Sequence, residues 1–137
     1  MSRYLDRAAE LRQDPNRHYN CAQAVLIPFA EAKGISKETA NALTANFGSG
    51  MRAGLTCGAI TGGLMALGLC GAGDPSDAQE LIRRIKQNHA GMTDCAHLLA
   101  ANTKTGTPKK VHCDAMVYEA VKNVEQMLAD RGLLNED

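Results

Sequence analysis

Apolar residues recur along this chain at intervals of three and four, and no run shows convincing alternation. That spacing places them on one face of a helix, whereas a half-buried strand needs a period of two. Tyr4, Leu5, Ala8, Ala9 and Leu11 predict a short amphipathic helix that Asp14-Pro15 terminates. A second runs from Asn20 through Ala22, Val25, Leu26 and Phe29 to Gly34, with a bend expected at Pro28. Ser36 caps a third, with Ala40, Leu43 and Phe47 on its apolar face, before a flexible Gly48-Ser49-Gly50. A fourth starts at Cys57 and ends in Gly71-Ala72-Gly73. Asp74-Pro75-Ser76 opens a fifth carrying Leu81, Ile82 and Ile85, and Thr93-Asp94 a sixth carrying Cys95, Leu98 and Leu99. After a polar loop, Val111, Met116, Val117, Ala120, Val121, Val124 and Leu128 mark a long last helix stopped by Gly132. The expected architecture is all-α: a single-domain helical bundle of about six to seven helices over residues 1–137, with a buried Gly-rich central helix.

That central helix needs an argument, because Ala53 to Gly73 is 21 residues without a charge. Seven of them are glycine and no Trp or Tyr borders the segment, so it reads as a helix buried on all sides, not as a membrane span. The charged start Met1-Ser2-Arg3-Tyr4-Leu5-Asp6-Arg7 has no apolar stretch of signal-peptide type, so a cytoplasmic location is expected. Lys+Arg and Asp+Glu are equal at 15, which gives no global attraction to nucleic acid or acidic lipid. With no Trp, two Phe and three Tyr, a base-stacking platform is missing as well.

Chemistry concentrates in the cysteines. Cys21, Cys57, Cys95 and Cys113 each fall at an expected helix start; Asn20, Thr56 and Thr93-Asp94 are residues of N-cap type before the first three. A thiol there meets the positive end of the helix dipole and free N–H donors, which favour the thiolate, the form that attacks disulfides and binds metals. In a reducing cytosol, five cysteines point to catalysis or metal binding and not to a disulfide framework. The gaps of 36, 38 and 18 residues match no finger or ferredoxin spacing. A shared site would therefore be assembled by four helix starts meeting at one end of the bundle; the competing reading is scattered, half-buried structural cysteines. Cys70 is separable, since at about 1.5 Å per residue it lies about 20 Å along the helix from Cys57.

Gly54, Gly58, Gly62 and Ala66 recur every four residues, a nearly smooth stripe that costs a helix about 1 kcal/mol per glycine. It serves either tight helix packing or close approach of a cluster or substrate, with free N–H groups of Gly58 and Ala59 aimed at whatever Cys57 holds. His18, His97 and His112 lie near cysteines and read first as solvated or capping residues, second as ligands or thiol-activating groups. No phosphate-binding Gly-x-x-x-x-Gly-Lys loop, haem-attachment motif or paired His on one helical turn is present.

The order Asn20-Cys21 with Ala24-Val25-Leu26, Phe47-Gly48-x-Gly50, Cys57-Gly58-Ala59-x-x-Gly62 with Met65-x-Leu67-Gly68-Leu69, then Cys95 with Leu98-Leu99 and His112-Cys113 with Val117, resembles the redox-active family named for its pattern C_GCAxxG_C_C. The likeness spans about Asn20 to Ala120, with Thr56 standing where the pattern name carries Gly. It implies a small helical bacterial or archaeal redox protein with four functional cysteines. Similar domains adjoin haem domains in split-Soret cytochromes, where an iron–sulfur centre belongs to this region. The resemblance thus implies an iron–sulfur cluster, or another metal, on Cys21, Cys57, Cys95 and Cys113, with Gly58, Ala59 and Gly62 beside it, for electron transfer or redox sensing with an unknown partner protein. Two alternatives stand beside this. One is a thiol–disulfide oxidoreductase using Cys57 as nucleophile together with Cys21. The other is a non-catalytic helical binding or dimerisation module packed through the glycine stripe, as in a homodimer.

Overall fold

A computed structural model describes residues 2–134. Among these residues there are seven α-helices and no strand: α1 (Arg3–Arg12), α2 (Cys21–Ala32), α3 (Lys37–Thr44), α4 (Gly58–Leu69), α5 (Pro75–Asn88), α6 (Cys95–Thr103) and α7 (Lys109–Asp130). The chain is all-α. No helix among the described residues is long and apolar enough to cross a membrane.

Helix starts follow the capping chemistry of the sequence. The Ser2 and Ser36 side chains accept the N–H groups of Leu5 and Thr39 at the heads of α1 and α3. Asn20 heads α2 in a reciprocal box: its side chain accepts from Gln23 N–H, and Gln23 Oε1 accepts from Asn20 N–H, both at 2.8 Å. Asp74 and Asp77 make the same box on α5, with Pro75 in the first helical position. At the other end of the chain Gly132, at φ +67°, closes α7, and Leu133 N–H reaches back to the Leu128 carbonyl at 2.9 Å.

The core is built around α2, α4 and α7, with α1 against α2 and α7 and α5 against α4. Phe29, Ile27, Ile60, Leu67, Leu81, Ile85, Val117, Val121 and Val124 are fully buried, and Tyr4 stacks on Phe29 with ring centroids 4.6 Å apart. The glycine stripe is used inside the chain. A Cβ on Gly62 would stand 2.7 Å from the Ala22 carbonyl oxygen and 2.9 Å from its Cα, and one on Gly58 would stand 3.2 Å from Ala22 N. These two glycines let α4 lie directly on the backbone of α2. In α4, Gly58–Ile60, Gly62, Gly63, Ala66 and Leu67 are buried, whereas Gly68 is exposed.

Four local expectations change. Gly54 is not helical: it has φ +71° and ends a single wide turn, Gly50–Gly54, so the stripe begins at Gly58. The segment read as flexible is instead a run of left-handed residues, Ser49, Gly50, Met51 and Arg52, closed by Leu55 N–H on the Gly50 carbonyl at 2.9 Å. Leu43 is 62% exposed, because α3 turns Ala40, Asn41 and Thr44 toward the core instead, and Gln23 Nε2 donates to the Asn41 carbonyl at 3.1 Å. Val111 is likewise 55% exposed, ahead of the stretch where α7 enters the core. Helix α2 runs through the buried Pro28 without ending.

These contacts separate two glycines of one helix. Gly62→Ala forces α4 off α2 and should lower stability by about 1–3 kcal/mol. Gly68→Ala meets nothing within 4 Å and has helical backbone, so it should raise stability by about 0.5–1 kcal/mol. Urea unfolding of both variants against the parent checks the pair of signs.

Candidate functional site

Cys21, Cys57, Cys95 and Cys113 all line one cavity of about 520 Å³, and Cys70 does not. Cys21 and Cys95 are the first residues of α2 and α6. Cys57 is itself the cap of α4, so Thr56 does not play that part. Cys113 differs from the expectation most: α7 begins at Lys109, which puts Cys113 a full turn inside the helix, where its own backbone N–H is no longer free. Three helix starts and one helix flank therefore meet here. Cys70 is buried at the far end of α4 as its C-cap, with its thiol pKa raised by burial.

The four thiols form two pairs held by different means. Cys57 and Cys95 are coupled through backbone: Thr56 and Asp94 make one antiparallel bridge, Cys57 N–H donates to the Thr93 carbonyl at 2.9 Å, and Cys95 N–H donates to the Leu55 carbonyl at 2.6 Å. Cys21 and Cys113 are linked through their side chains, each thiol being the largest influence on the other's acidity. The cysteines are free, with no disulfide.

Arg12 organises the second pair. Its guanidinium is buried and donates from Nε to Asp114 Oδ1 at 2.6 Å and from Nη1 to the Tyr19 carbonyl at 2.8 Å. It thereby ties the end of α1 to the turn before α2 and to α7, beside Cys113. Lys110 Nζ adds to the knot, donating to the Arg12 carbonyl at 2.9 Å and to Asp114 at 3.2 Å. Burial opposes the Arg12 charge, but the Cys21 thiol, Asp114 and the Cys113 thiol outweigh it and raise its pKa.

Each thiol titrates according to this placement. The hydrogen bond from Cys21 favours the Cys113 thiolate; burial opposes it, Arg12 and Lys109 add to it, and the pKa falls to about 6. The same hydrogen bond and burial raise Cys21 steeply, so the pair gives up one proton readily and holds the other. Cys57 is only 6% exposed, and burial pushes it up to about 11 despite N–H groups of Ala59 and Ile60 directed at its sulfur. Ala59 is one of the two expected donors, and Ile60 stands in place of Gly58. Cys95 is raised by burial and by the neighbouring Cys113, against the pull of Lys109.

Of the remaining candidates, Gly58 lines the cavity, Gly62 lies in the α4–α2 contact, and Ala59 is fully buried. His18 and His112 line the cavity and His97 does not. Burial and then His89 lower the His112 pKa, which favours its neutral form. The sequence places Arg12 on the first amphipathic helix but carries no signal that it would sit beside the thiols; that follows from its bonds to Asp114 and the Tyr19 carbonyl.

The all-helical scaffold thus gathers four thiols and a buried cation around one cavity. The chain belongs to the family described as "Putative redox-active protein (C_GCAxxG_C_C)", whose sequence model matches residues 19–127. No curated protein and no solved structure matches it.

A cluster or metal on these thiols is implied by the family resemblance. The donor set suits one in kind, being four sulfurs, but its arrangement does not: among the described residues no three His, Cys, Asp or Glu side chains stand close enough together to hold a metal ion.

The thiols' order of reaction follows. A lowered pKa leaves Cys113 as thiolate above about pH 6 and protonates it below, so its alkylation by iodoacetamide should be near its plateau at pH 7 and half-maximal near pH 6. Cys57 should stay unmodified until far higher pH. Peptide mapping of partially labelled protein reads the order, and first labelling at Cys57 would contradict it. Arg12→Met should move the Cys113 midpoint upward and, by leaving Asp114 with Lys110 alone and the Tyr19 carbonyl without its donor, lower stability by about 1–3 kcal/mol.

Proposed function

We propose that this protein is a dithiol–disulfide redox protein in which Cys113 is the attacking thiolate and Cys21 the resolving thiol. The observation that carries the reading is that Cys21 and Cys113 line one cavity together with Arg12 and Lys109, each thiol governing the other's acidity. Exchange needs a thiolate at ambient pH and a second sulfur within bonding reach of the first; a pKa close to the surrounding pH gives both ionisation and nucleophilic strength. The chemistry is a two-electron step. Attack by Cys113 on a disulfide gives a mixed disulfide and releases one thiolate. Cys21 then attacks the Cys113 sulfur, forms the intramolecular disulfide and expels the second thiol. Cys57, first in line from the sequence, is too deeply buried and too weakly acidic for the attacking part in this reading.

The Cys57–Cys95 pair supports a second reading, an iron–sulfur cluster held by all four thiolates, because the four sulfurs share one cavity. Among the described residues no three of the donors are arranged to hold a metal ion, so this reading needs the thiols to rearrange on binding. The third reading, a module that dimerises through the glycine stripe, loses its surface, since Gly58 and Gly62 are covered by α2 of the same chain.

Treatment of the reduced protein with one equivalent of diamide should yield a Cys21–Cys113 cross-link as the main product by peptide mass mapping. Cys21→Ser should keep the rapid alkylation of Cys113 yet stop disulfide closure, leaving mixed disulfides that persist. A cross-link confined to Cys57 and Cys95 would refute the assignment. Visible absorption with stoichiometric iron in protein purified without oxygen, abolished by serine at any of the four positions, would favour the cluster instead.

A further inference from the structure

The cavity wall carries more positive charge than its thiols and ion pairs use. The whole chain is neutral, with 15 basic and 15 acidic residues, yet four Arg or Lys side chains and one carboxylate, Asp14, line this cavity. Two of the four cations are committed: Arg12 to Asp114 and the Tyr19 carbonyl, Lys110 to Asp114 and the Arg12 carbonyl. The other two are held by no carboxylate. Lys109 favours the thiolate at Cys113 and Cys95 but makes no hydrogen bond or ion pair among the described residues, and Arg17 lies over the Tyr19 ring, 5.0 Å from its centroid. Asp14 is partly occupied in turn, accepting the Asn16 N–H at 2.8 Å. Leu98, Leu99 and Met116 add apolar side chains to the lining, and a volume of about 520 Å³ suits a small molecule.

We propose that this cavity binds a low-molecular-mass disulfide with carboxylate-bearing arms, its acidic groups at Arg17 and Lys109 and its sulfur–sulfur bond against Cys113. The inference rests on the dithiol reading and names its substrate class. In the reaction the Cys113 thiolate forms a bond to one substrate sulfur while the substrate S–S bond breaks, releasing one arm as a thiolate. Cys21 then bonds to Cys113 and the second arm leaves. One disulfide, one thiolate and one thiol enter; one protein disulfide, one thiolate and one thiol leave. The Cys21 proton ends on a released arm, and the substrate takes two electrons from the protein.

Three symmetric disulfides of similar size and opposite charge test this: 3,3′-dithiodipropionate, bis(2-hydroxyethyl) disulfide and cystamine. Pre-reduced protein is mixed with each in a single turnover at low ionic strength, and closure of the Cys21–Cys113 bond is followed by acid quench and mass mapping. The dianion should react at least about tenfold faster than the dication, with the neutral disulfide between, and 0.5 M salt should collapse most of that gap. Arg17→Gln and Lys109→Gln should each reduce the dianion-to-neutral rate ratio, a readout that cancels any change in thiol acidity. Equal rates for the three disulfides overturn the substrate class while leaving the dithiol chemistry standing. Failure of all three to close the Cys21–Cys113 bond overturns both.

Discussion

The contact of α4 on the backbone of α2 at Ala22 is the constraint on which the rest of the site depends. Two helices normally meet through side chains at 8–10 Å between axes; here Gly58 and Gly62 remove the side chains from one partner. Each glycine costs the helix about 1 kcal/mol against alanine, which packing of this quality offsets. The return is positional. A Cβ on Gly58 would lie 3.3 Å from Cys21 Cβ, so the heads of α2 and α4 are brought side by side with their thiols on one cavity. A bulkier residue at either glycine would part these two helix starts.

The loop between α3 and α4 completes this corner under strain. Ser49, Met51 and Arg52 hold left-handed backbone, which costs a non-glycine residue about 1–3 kcal/mol unless its surroundings fix it. Leu55 N–H on the Gly50 carbonyl and Arg52 Nη2 on the Ala45 carbonyl, both at 2.9 Å, supply that fixing. The turn delivers Leu55 and Thr56 to the segment before α6, and so places Cys57 beside Cys95. Gly50 has no room for a side chain, because Leu55 backbone and Cys95 Cβ occupy the space.

Electrostatics then makes the four thiols unequal. A thiolate at one position raises its neighbours, so the site settles on a single easily formed anion. Cys113 takes that charge because the Cys21 thiol donates to it and Arg12 and Lys109 stand near it. Arg12 is itself held by Asp114, one residue after Cys113, which fixes the cation without cancelling it entirely at the sulfur. Cys57 and Cys95 lack such a counter-charge in comparable measure, and burial dominates them.

By itself the sequence determined what local chemistry can determine. Helical periodicity fixed an all-helical chain, Ser36, Asp74-Pro75 and Gly132 marked helix ends through capping and backbone freedom, and helix rise detached Cys70 from the other cysteines. Four ordered thiols and the Cys57-Gly58-Ala59 core carried the family. What periodicity cannot carry is which distant residues meet. Arg12 and Asp114 are 102 positions apart, and nothing in either neighbourhood announces the other. The left-handed turn at 49–52 was hidden because Met51 and Arg52 are not residues that favour it; tertiary hydrogen bonds impose it. The division of four thiols into a backbone-coupled pair and a side-chain-coupled pair likewise came only with the packed bundle, because a thiol's acidity depends on burial and on charges brought in by other helices. Sequence supplied the sulfurs; their unequal chemistry came from the fold.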